Sequence, residues 1–234
     1  MTKKIIALCF LLNLMACAEL QQVVNQLPQG GTLSNADIAA GLRQALDFGI
    51  EKQVTKLTQT DGFYKNDLVK ILLPSELQKV DKTLRDIGLS SLADEGLKLL
   101  NRAAEDAVKE ATPIFVNAVK EITFDDAKNI LLGNDNAATT YLKVKTESPL
   151  YAKFNPVIKS SFDEVGASEI WSSLINKYNA LPLTADVNPD LTDYVTREAL
   201  NGVYTMIALE EKDIRNNFAS RTTTLLKKVF ALQD

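Results

Sequence analysis

SNADIAAGLRQALDFGIEKQVTKLTQ, residues 34–59, decides the fold class. Ile38, Leu42, Ala45, Leu46, Ile50, Val54 and Leu57 return at steps of three and four, which puts them on one stripe of an α-helix. Ser34, three residues ahead of Asp37, has the form of a capping box. Its hydroxyl takes an orphan backbone N–H, and the acid suits the positive helix end. Thr60-Asp-Gly-Phe-Tyr-Lys-Asn66 ends the stripe, with Asp61-Gly62 as the turn.

The same grammar runs on downstream. Leu68–Leu73 is a short apolar run closed by Pro74, compatible with extended chain or one buried helical turn. Ser75-Glu-Leu-Gln78 is a second capping box, and Gly88 is a C-terminal stop. A long helix is expected from Ser91, with Leu92, Gly96, Leu99, Leu100, Ala103, Ala107 and Ala111 on a face narrow enough for close helix contact. Thr112-Pro113 interrupts it, because proline suits a helix's first turn and not its interior. Phe115, Ala118, Val119 and Ile122 continue the stripe. Thr123-Phe-Asp-Asp126 caps a short helix that Gly133 closes. Asp135 caps the next, to about Glu147, and Ser148-Pro149 opens another that kinks or ends near Asn155-Pro156. Ser168–Asn179 makes one more, with Trp171 and Leu174 inward. Asn188-Pro189-Asp190 reads as a cap with a first-turn proline, starting a long helix to Ile214, and Ser220–Leu232 closes the chain. No segment alternates like a strand and no fixed repeat is evident. The expected fold is all-α: a single multi-helix bundle of about nine helices over residues 34–234.

In front of it lies MTKKIIALCFLLNLMAC, residues 1–17. Lys3 and Lys4 form a positive n-region ahead of the apolar run Ile5–Leu14, too short for a bilayer, which takes about 20 residues, and the right length for a secretory leader. Leu14-Met-Ala-Cys17 resembles a bacterial lipobox. That pattern makes residues 1–16 the signal peptide and Cys17 the acylated new N-terminus, a lipid anchor to the membrane. The alternative is cleavage after Ala16-Cys17-Ala18, which frees a soluble periplasmic protein. In a Gram-negative cell, Ala18 after the cysteine resembles a signal for the outer membrane, facing the periplasm. Residues 17–33, Gln-rich with Pro28 and Gly30-Gly31, read as a flexible tether reaching roughly 20–25 Å. A short first helix over Glu19–Gln26 would shorten that reach.

Composition removes several functions. The chain has no histidine, and its only cysteines are Cys9, inside the leader, and Cys17. Ser-His-Asp and Cys-His catalysis and the usual zinc sites are therefore excluded, and no cofactor is expected. Lys3 and Lys4 leave with the leader, so the 26 basic residues fall to 24 against 30 acidic ones, and the mature chain carries −6. That balance offers no basic footprint for nucleic acid.

Several stretches read together are similar to one family: Thr60-Asp-Gly-Phe-Tyr-Lys-Asn66, Leu100-Asn-Arg-Ala-Ala-Glu105, Thr123-Phe-Asp-Asp-Ala-Lys128, Asn188-Pro-Asp-Leu-Thr-Asp-Tyr-Val195 and Arg221–Phe230. The chain resembles the bacterial domain-of-unknown-function family 4197 from Leu33 to Phe230. The resemblance implies an envelope location and a helical fold, and it brings no activity and no catalytic residue.

The residues that invite chemistry have plain alternatives. Asp125 and Asp126 suit a hard cation or acid–base work, but they fall in a helix's first turn, where acids stabilise the end by about 0.3–1 kcal/mol. Gly133-Asn-Asp-Asn136 reads as a turn between helices, since it lacks the spaced ligands of a calcium loop. Arg102 and Glu105 form a solvated i, i+3 pair or a buried polar cluster with Lys128, Lys145 or Arg197; the solvated pair is the expectation. Tyr64, Tyr141, Tyr151 and Tyr194 are expected on the rim of the core, and Glu210-Glu-Lys-Asp213 on a solvated helix face. Lys143, Lys145, Lys153 and Lys159 are too dilute a basic cluster to name a partner. Two functions survive: a non-enzymatic envelope lipoprotein binding a protein partner or an apolar ligand, and a carboxylate-based hydrolase or transferase acting on cell-wall or glycan material. The second requires two acids facing each other across a cleft.

Overall fold

Ser34 stands immediately before α1 (Asn35–Leu57), which buries Leu42, Ala45, Leu46, Ile50, Val54 and Leu57 as the stripe requires. The computed structural model describes residues 33–73, 90–168 and 190–233, with isolated positions between 78 and 88 and between 172 and 179. The leader, Cys17, the tether, the capping box at Ser75 and the inward Trp171 lie outside the described residues. Asn35–Asp234 forms one compact unit. Its described residues hold α-helices and turns and no strand, so the fold is all-helical.

After α1, residues 58–73 run through successive turns with Phe63, Val69 and Ile71 buried. Gly88 adopts φ +84°, the left-handed conformation of a helix stop. α2 (Ser90–Val108) and α3 (Ala111–Lys120) are split at Lys109-Glu110. Lys109 is the residue whose carbonyl Pro113 would displace, so the proline acts where expected. The buried face of α2 is Ala93, Leu97, Leu100, Ala103, Ala104 and Ala107. Gly96, expected at a close contact, is exposed with open space around it.

α4 (Phe124–Leu131) follows, and then α5 (Ala137–Asp163), α6 (Leu191–Asn216), a short 3-10 turn (Phe218–Ser220) and α7 (Thr224–Phe230). Seven α-helices are thus described; the count of about nine is not confirmed. One cause is α5, a single helix where two were expected. Pro149 and Pro156 lie within it on its exposed side, seven residues apart. The carbonyls they leave unbonded, at Lys145 and Ala152, also lie on exposed residues, where water satisfies them. On the other side Leu142, Thr146, Leu150, Phe154, Ile158 and Phe162 recur every four residues, all buried. That packed stripe outweighs the proline penalty. Two expected caps also move: α5 is capped at Asn136 rather than Asp135, and α6 at Asp190 rather than Asn188.

α5 and α6 are the most extensively packed pair, and α3, α4 and α6 each pack on both α1 and α5. The core fills the space between. Among the described residues no helix is long and apolar enough to cross a membrane.

Candidate functional site

Asn101, Arg102 and Glu105 share the face of α2 turned to residues 58–73. Asn101 is fully buried, and its Oδ1 accepts the Ile71 N–H at 2.8 Å while its Nδ2 donates to the Ile71 carbonyl at 2.9 Å and to Leu97 at 2.7 Å. One side chain thus does for Ile71 what a neighbouring strand would do. Glu105, only 3% exposed, accepts the N–H of Phe63 at 3.1 Å and of Tyr64 at 3.5 Å on Oε1. Its Oε2 takes Arg102 at 2.5 Å, and Arg102 reaches Asp61 at 2.6 Å. Asp61 sits at φ +68°, a left-handed conformation that a short polar side chain tolerates. The Lys65 ammonium beside it holds its carboxyl below the usual range.

The structure therefore joins Arg102 and Glu105 in a partly buried polar cluster with Asp61, with Glu105 at its buried end, and not with Lys128, Lys145 or Arg197. The solvated pair is corrected: the turn at Phe63-Tyr64 covers Glu105, and its backbone N–H groups stabilise the carboxylate there. Asp125, Asp126 and Lys128 belong to the first turns of α4. Thr123 Oγ1 accepts from the Asp126 N–H at 3.1 Å, and Asp126 accepts from the Thr123 N–H at 3.0 Å, closing the capping box. The Thr123 backbone N–H depresses the Asp126 pKa. Asp125 and Lys128 are exposed. No cleft is formed by these acids.

A second polar node was missed by the sequence reading, which gave Glu211 to a solvated face. Glu211 and Arg215 on α6 are both buried and paired at 2.8 Å. Glu211 also accepts the N–H groups of Ala138 and Thr139 and the Thr139 hydroxyl, all at 2.8 Å. Those are orphan donors of α5, whose own cap residue Asn136 makes no side-chain cap bond. Arg215 donates to the carbonyls of Ile130 and Leu131, the last residues of α4, at 2.8 and 3.1 Å. Arg221, 2% exposed, closes α6 through the carbonyls of Ile214 and Arg215. Arg43 does the same for the Ile122 carbonyl just after α3. A signal was present: Val203, Ile207, Glu211 and Ile214 fall on one stripe, so Glu211 occupies a core position.

Two open grooves mark the surface. One, lined by Phe48, Lys52, Ile214, Ser220 and Leu226, lies between α1 and the C-terminal segment. The other lies between α5 and α6, about 520 Å³, lined by Val144, Glu147, Tyr151, Arg197, Leu200 and Asn201. Here Tyr151 donates its hydroxyl to Asp193 at 2.6 Å, which pushes the phenol pKa up. Arg197 Nε bonds both oxygens of Asp193 at 3.0 Å, and the guanidinium lies 5.5 Å from the Tyr151 ring centre. All four tyrosines named from the sequence are half-buried, as residues on a core rim are.

These features define an all-helical module that spends its buried charges on its own helix ends and turns. The chain belongs to the family described as "Protein of unknown function (DUF4197)", whose model matches residues 32–231. No curated protein and no solved structure matches it. Two of the stretches that carried the resemblance, 60–66 and 100–105, are the two halves of the Asp61–Arg102–Glu105 cluster.

Proposed function

We propose that the chain is an exported envelope lipoprotein, anchored through Cys17 in the outer membrane facing the periplasm, whose helical domain docks a protein partner and catalyses no reaction. The observation that carries this reading is how the buried charges are used. Glu105, Glu211, Arg215 and Arg221 are each committed to backbone groups or to one another, so they are unavailable for acid–base work. The cavity beside Glu211 and Arg215 measures about 20 Å³, room for about one water and far below the roughly 300–1,000 Å³ of a ligand pocket. That favours recognition on the surface over carriage of an apolar ligand inside. The leader and its lipobox supply the location.

The test uses the full chain in its own host, with Cys17→Ser beside it. Metabolic labelling with an alkyne palmitate should tag the parent and not the variant, and membrane crosslinking should trap a discrete partner. A soluble, unlabelled parent chain would overturn the anchor. Extra non-covalent mass in native mass spectrometry would overturn partner docking in favour of a carried ligand.

A further inference from the structure

The groove between α5 and α6 presents polar groups that the fold leaves open among the described residues. Arg197 is 66% exposed, yet it is held: both of its hydrogen bonds leave Nε for Asp193, and its guanidinium carbon lies 5.5 Å from the Tyr151 ring centre. Asp193 is itself fixed, because the Asp190 cap receives its N–H and the Tyr151 hydroxyl holds its Oδ1. Among the described residues, no group bonds the two terminal nitrogens of Arg197. They form a preoriented fork, the geometry that matches a carboxylate bidentately. Glu147 lines the same groove, exposed and without an ion pair among the described residues. Asn201 adds an exposed amide one turn beyond Arg197. Leu200 forms an apolar floor, and Val144, 79% exposed, an apolar edge.

Resting on the docking reading above, we propose that this groove receives a peptide segment of the protein partner, with a carboxylate on the Arg197 fork and a basic residue facing Glu147. The two opposite charges over an apolar strip select that occupant. A polyphosphate or a nucleic acid would meet the Glu147 carboxylate and a chain of net charge −6. A lipid tail would give no partner to the terminal nitrogens of Arg197 or to the Glu147 carboxylate. Asp193 serves as a positioning residue, since it holds the fork and touches no partner.

The probes are two blocked tetrapeptides, acetyl-Glu-Ala-Leu-Lys-amide and its uncharged counterpart acetyl-Gln-Ala-Leu-Gln-amide, titrated into the mature chain from Cys17, unlipidated, and followed by ¹⁵N NMR. The charged peptide should shift the Asn201 amide and Arg197 Nε, and the uncharged one should not. Arg197→Gln should weaken that binding by about ten- to a hundredfold, and Arg197→Lys, which keeps the charge and loses the fork, should restore only part of it. Equal responses to the two peptides, or none at millimolar concentration, would overturn the proposal. A photo-crosslinker at Asn201 and another at Phe48, in the membrane-bound lipoprotein, separate the two readings. A partner adduct at Asn201 that Arg197→Gln abolishes supports the groove. An adduct at Phe48 alone, indifferent to Arg197, overturns the groove and leaves docking standing. No adduct at either position overturns both.

Discussion

Arg215 donates to Glu211 from one turn further along α6, at 3.0 and 2.8 Å, and between them the two side chains close two other helices. The carboxylate meets the positive end of α5 and the guanidinium the negative end of α4, so each charge also lies along a favourable helix dipole. Arg221 and Arg43 apply the same device to α6 and α3. Helix ends that are buried cannot use water, and side chains from elsewhere in the fold replace it.

Removing one member of this pair leaves the other buried and unmatched. Glu211→Ala should cost about 3–5 kcal/mol in urea unfolding, since it strands Arg215 and two N–H groups of α5. Glu211→Gln keeps one acceptor oxygen and should cost less. A loss below about 1 kcal/mol for the alanine variant would mean that water reaches these helix ends.

The two anchors of residues 58–73 should be separable by hydrogen exchange. Asn101→Ala removes the acceptor for the Ile71 N–H, and Glu105→Gln weakens the one shared by Phe63 and Tyr64. Protection should fall first at Ile71 in the former and at Phe63 in the latter. Uniform loss across the domain in both would show that the segment opens only with global unfolding.

Three helix glycines should respond to alanine with different signs. A Cβ at Gly49 meets only the Glu210 side chain, at 3.3 Å, so Gly49→Ala should stabilise by about 0.5–1 kcal/mol through backbone entropy. A Cβ at Gly202 would lie 2.7 Å from the Phe63 ring, and one at Gly41 2.5 Å from Val229. Both of those variants should lower the melting temperature.

Burial raises the Tyr204 pKa from 10.0 to about 12. A raised folded value means stability is complete below pH 10 and declines as pH climbs towards 12, because the unfolded phenol ionises first. Absorbance at 295 nm should show one tyrosine titrating last, and Tyr204→Phe should flatten the alkaline decline. At the acid end the sign reverses. Depressed folded values at Asp126 and Asp213, set by hydrogen bonds from Thr123 and Ser220, contribute stability above about pH 4 that is lost as pH falls further.

Pro149→Ala restores an N–H to an exposed position inside α5. With the helix already continuous there, the gain should be about 1–3 kcal/mol in chemical denaturation. No gain would indicate a helix that breaks at that proline in solution.

Local rules made much of this chain legible in advance. The stripe of α1, the capping box of Thr123 and Asp126 and the break before Pro113 each depend on residues within four positions, and each was read correctly from spacing. The continuity of α5 was not, because Pro149 and Pro156 weigh against a helix locally while six buried side chains on the opposite face hold it together. The missing histidine is likewise a property of composition alone.

Where a charge ends up is another matter. Arg102 and Glu105 look identical in sequence whether water or the Phe63-Tyr64 turn covers them, and that turn lies some forty residues away. Glu211 and Arg215 find their partners on α5 and α4, more than seventy residues back. Burial of a charge is decided by what packs over it. Only the folded chain, which brings a distant backbone within 3 Å of a carboxylate, can settle that.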